Sequence, residues 1–63
     1  MNFETIFEKQ LASNDGKVWF ILVDGDDSKV VSHTVKSINS LELNGYEHRH
    51  TYCGHPFFYK VSL

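Results

Sequence analysis

Val18-Trp19-Phe20-Ile21-Leu22-Val23 is a six-residue apolar run of strand length, rich in β-branched and aromatic side chains and bounded by turn residues on both sides. It predicts a central strand. Side chains alternate along a strand, so Trp19, Ile21 and Val23 face one way and Val18, Phe20 and Leu22 the other, and cover is expected on both faces. Downstream, Asp24-Gly25-Asp26-Asp27-Ser28 reverses the chain, and residues 29–36 resume the alternation with Val31, His33 and Val35 on one face. The two segments predict a hairpin.

Upstream of the run, Phe3, Ile6, Phe7 and Leu11 recur at the i, i+3, i+4, i+8 spacing of one helical face, with Glu4, Glu8, Lys9 and Gln10 off that stripe. This predicts an amphipathic helix over residues 3–12. Asn2 is the expected N-cap, Glu4 suits the positive end of the helix dipole, and Ser13-Asn14-Asp15-Gly16 supplies the stop through a left-handed Asn14 or Gly16. On the far side of the hairpin, residues 37–45 read as a short second helix with Ser37 as cap and Asn44-Gly45 as stop. Residues 46–52 and 57–63 read as a second strand pair joined through Cys53-Gly54-His55-Pro56.

The expected fold class is therefore α+β, a single domain over residues 1–63 in the order α-β-β-α-β-β. A mostly antiparallel four-stranded sheet is packed by the N-terminal helix and the short second helix. A chain of 63 residues builds only a small core, which argues against a large active-site cleft. Eight acidic against six basic side chains give a net charge of −2, which disfavours phosphate tracking and hence nucleic acid as a partner. A lone cysteine, Cys53, leaves no internal disulfide, and the first residues lack a basic start and an apolar run. No stretch is long enough to span a bilayer, so a cytoplasmic setting without membrane contact is expected.

Residues 46–55, Tyr-Glu-His-Arg-His-Thr-Tyr-Cys-Gly-His, hold three of the four histidines and the only cysteine. On an undistorted strand His48 and His50 project from one face about 6.5–7 Å apart, a spacing that lets two imidazoles converge on zinc or a similar ion. His55, Cys53 or distant His33 would have to complete the set. His48, His50, Cys53 and His55 crowd into eight residues instead of forming two separated pairs, so half-buried polar aromatics on a wet sheet face are the favoured reading. Two further readings fail on spacing. Asp24, Asp26 and Asp27 lack the alternating ligands and distal Glu of a calcium loop, and Cys53 near His55 has no third group to orient a nucleophile.

The last third of the sequence is dense in aromatics. Phe57, Tyr59, Val61 and Leu63 are expected to face the core, and Phe58 to alternate out of it, either under a second layer or exposed as an anchor. With no catalytic set and no phosphate-cradling glycine loop, the sequence points to a non-enzymatic protein-interaction module: an adaptor, inhibitor or regulator of the kind common among accessory proteins of viruses and mobile elements. The expected partner-binding residues are Tyr46, His48, Arg49, His50, Tyr52 and Phe58, the expected partner is a protein, and the chain is expected to be a monomer or homodimer. The alternatives are a metal-binding module using His48, His50 and His55, and a single-stranded nucleic-acid binder that stacks bases on aromatics beside Arg49 and Lys60.

Overall fold

A computed structural model describes residues 3–61; the expected N-cap Asn2 and the expected core residue Leu63 lie outside them. The stripe from Phe3 to Leu11 folds as helix α1 (Phe3–Ser13). It ends where Asp15 and Gly16 take positive φ, with the Asn14 N–H donating to the Gln10 carbonyl and the Gly16 N–H to that of Leu11. The apolar run forms β1 (Lys17–Asp24) and pairs antiparallel with β2 (Asp27–Thr34) around the two-residue turn Gly25-Asp26. The expected hairpin is therefore present.

The second strand pair is also present, as β3 (Tyr46–Tyr52) and β4 (His55–Lys60). Its turn is Cys53-Gly54, both residues at positive φ (55° and 77°), the conformation that two-residue hairpins use to match strand twist. A cysteine is a poor occupant of that backbone, where asparagine before glycine is preferred. Cys53→Asn is expected to stabilise the domain by roughly 0.5–1 kcal/mol, read as an upward shift of the thermal midpoint.

The sheet order is β2-β1-β4-β3, and the central β1–β4 pairing is parallel, so the sheet is mixed. This order forces residues 35–45 to run from one edge of the sheet to the other, about 14 Å at three strand spacings. They do so without the expected second helix. One 3₁₀ turn, Ile38–Ser40, has no side-chain cap from Ser37 to its backbone, the Ser37 hydroxyl lying 3.4 Å from that of Ser40 instead, and Leu41 is already extended. Serine and asparagine offer the backbone competing bonds that disfavour helix interiors. Ile38, Leu41 and Leu43 instead pack against the core from an irregular segment.

The core lies between α1 and one face of the sheet. Phe7, Val18, Phe20 and Phe58 are fully buried, with Phe58 at 2% exposure. Phe7 stacks on Phe58 at 6.0 Å between centroids, and Phe20 meets Phe58 edge to face at 5.7 Å. The expected orientation of the last strand is thus inverted: Pro56 and Phe58 turn inward, and Phe57 and Tyr59 turn outward. Alternation fixes which residues share a face but not which face the helix covers when both are aromatic. Cover on both faces of β1 is corrected as well, since α1 and the 35–45 segment pack on the Val18–Phe20 side and, among the described residues, no second layer lies over Trp19, Ile21 and Val23.

Candidate functional site

The two faces of the β3–β4 hairpin are set by one irregularity. His48 pairs with Phe58 and His50 with Phe57, so Arg49 is an extra residue bulged out of β3. The bulge separates the two histidines that an undistorted strand would align. His48 points to the helix side, where its ring lies 5.0 Å from that of Phe3 and 5.5 Å from that of Phe58, and its Nε2 is 3.0 Å from the Thr51 hydroxyl. His50 points to the other face and stacks on Phe57 at 4.6 Å. The expected metal set of His48, His50 and His55 is therefore not assembled. Among the described residues no group of three or more His, Cys, Asp or Glu side chains is placed to hold a metal ion.

The expected partner-binding residues divide in the same way. Tyr46 packs against the core, His48 is half-buried on the helix side, and Phe58 is a core residue, so these three leave the candidate surface. Arg49, His50 and Tyr52 remain exposed. Arg49 is held in place twice: its Nε and Nη2 each lie 2.9 Å from Glu47 Oε1, and its guanidinium sits 4.9 Å from the Tyr59 ring centroid. The pairing with Glu47 leaves little net charge at that corner.

Around these residues lies a surface that the sequence reading missed. The open face carries Trp19, Ile21 and Val23 from β1, Phe57 and Tyr59 from β4, and Tyr52 from β3. Trp19 is 39% exposed and Tyr52 68%. From Trp19 to Val23 and from His55 to Tyr59, the two central strands present no Asp, Glu, Lys or Arg on this face. The clue in the sequence is that β1 is apolar on both faces although one helix can cover only one of them. His55 lies in this half of the hairpin, with Nδ1 buried and without a hydrogen-bond partner.

The second residue missed is Gln10, buried at 9% exposure. Register places Trp19 opposite His55 just before the β1–β4 ladder starts, and the rung there would need an N–H from residue 56, which is proline. The Gln10 side chain fills the gap. Its Nε2 donates to the carbonyls of Trp19 (3.1 Å) and Gly54 (3.2 Å), and its Oε1 accepts from the Trp19 N–H. One amide thus ties the helix, β1 and the β3–β4 turn together beneath the open face. Its position four residues after Ile6 and three after Phe7 puts it on the buried stripe, which is the signal that could have found it.

Compared with protein-family models, curated proteins and solved structures, the chain matches none of them, so what it does is read from its own residues.

Proposed function

We propose that this chain is a non-enzymatic protein-interaction module whose working surface is the open sheet face. The observation that carries the reading is the exposure of Trp19 and Tyr52 on a face that includes Phe57 and Tyr59 and is flanked by Arg49. Tryptophan, tyrosine and arginine are the side chains that most often anchor interfaces, because they bury large rigid area while keeping a polar handle. The absence of charge along the two central strands of this face suits a partner that presents an apolar surface. A nucleic acid is less well served, since the basic groups near the face are Lys17 and an Arg49 already paired with Glu47.

The test uses Trp19→Ala and Tyr52→Ala, which remove anchors and leave the core intact. Tyr52→Ala is expected to change folding stability by no more than about 1 kcal/mol, as surface substitutions do, and Trp19→Ala, whose ring is partly packed on the sheet, to cost about 1–2 kcal/mol and leave the chain folded. Affinity capture from the native cell or host lysate should yield a stoichiometric protein with the wild type and lose it with each variant. Retention of that protein by both variants defeats the assignment of the surface. A salt-sensitive shift of single-stranded oligonucleotides, lost in the same variants, transfers the reading to nucleic acid.

A further inference from the structure

The two free edges of the sheet, β2 and β3, are not alike. β3 is interrupted by the Arg49 bulge, a device that keeps an edge from templating another strand. β2 has no such guard. Asp27–Thr34 keeps unbroken register with β1 over eight residues and contains no proline. The register closes on the Asp24–Asp27 pair, so Asp27, Lys29, Val31 and His33 bond to β1, and the N–H and C=O groups of Ser28, Val30, Ser32 and Thr34 point away from it.

These outward residues read symmetrically, Ser28, Val30, Ser32, with a valine at the centre that is 65% exposed. We propose that β2 pairs antiparallel with β2 of a second copy of this chain about a two-fold axis through Val30, making one eight-stranded sheet. In that register Val30 meets the second copy's Val30 and Ser28 meets the second copy's Ser32. On the helix side Lys29 meets the second copy's Val31, and Asp27 meets the second copy's His33, a carboxylate opposite an imidazole at each end of the seam. The neighbouring registers are worse: an axis at Lys29 sets that lysine on its own copy, and one at Val31 sets Lys29 against the second copy's His33. The two open faces then lie side by side on one surface, with the helices on the other.

Val30→Pro tests the pairing. The Val30 N–H points away from β1, so the substitution removes no bond within one chain but deletes the central donor of the seam. Val30→Lys, which sets two like charges on the axis, is the second variant should the proline disturb folding. By sedimentation equilibrium the wild type is expected to approach twice the 7.3 kDa chain mass. Both Val30 variants are expected to stay at one chain mass, and Tyr52→Ala, on the open face, to remain dimeric. A wild type that is monomeric up to about 1 mM overturns the proposal. So does a dimer that survives both Val30 substitutions, or one that Tyr52→Ala abolishes, which would mean that the open faces stack.

Discussion

Phe58→Ala is expected to leave the chain largely unfolded at 25 °C. Its ring sits among Phe3, Phe7 and Phe20, all within 6.0 Å between centroids, and is 2% exposed. Removing a buried phenylalanine costs about 3–5 kcal/mol, lost transfer energy and the remaining cavity together. A single small core rarely supplies more than about 3–5 kcal/mol of net stability, so this one loss consumes most of it. Phe57→Ala is the control. Phe57 lies on the opposite face, half-buried and stacked on His50, and its truncation is expected to cost about 1–2 kcal/mol. Urea titration followed by circular dichroism compares the two. If Phe57→Ala unfolds the chain and Phe58→Ala does not, the assignment of the covered face is reversed.

Gln10→Leu is expected to destabilise by roughly 2–4 kcal/mol, although it places an apolar side chain of similar length in a buried position. Leucine offers neither donor nor acceptor. The Trp19 N–H and the carbonyls of Trp19 and Gly54 then lose the side chain that partners them where Pro56 offers no N–H. Each lost bond costs about 1 kcal/mol, and a buried group left unpaired costs more. Glu8→Leu, exposed on the same helix, is expected to shift stability by no more than about 0.5 kcal/mol. Amide hydrogen exchange adds a local readout: Trp19 should exchange faster in the Gln10 variant while the β1–β2 ladder stays protected. Equal stability of Gln10→Leu and the wild type would show that the amide is not a structural tie.

The elements with strong periodicity were legible. The Phe3–Leu11 stripe carries helical periodicity and the segment after the turn carries alternation, while the Val18–Val23 run reads as a strand through its length, its β-branched and aromatic side chains and the turn residues that bound it. Residues 37–45 failed because two apolar contacts at helical spacing can equally be made by an irregular chain, while Asn39 and Ser40 favour turns. The orientation of β4 failed because Phe57, Phe58 and Tyr59 are aromatic on both faces, so alternation had no polar side to read. The metal set failed at a single residue. Nothing at Arg49 announces a bulge, yet the bulge moves His50 to the opposite face from His48, dissolves the expected metal pair and places Arg49 over Tyr59. What survived of the candidate surface is the part that alternation and the bulge both leave exposed: Arg49, His50 and Tyr52.

The proposed working surface must be open in solution, and Trp19, the single tryptophan, reports on it directly. Acrylamide quenching of its fluorescence in the dilute native protein is the most direct measurement. The open face predicts a red-shifted emission that acrylamide quenches readily, though less than in the urea-unfolded chain because part of the ring is packed on the sheet, and β2 pairing between copies leaves that result unchanged. A blue-shifted emission shielded from the quencher would mean that something already covers Trp19, and would contradict the account.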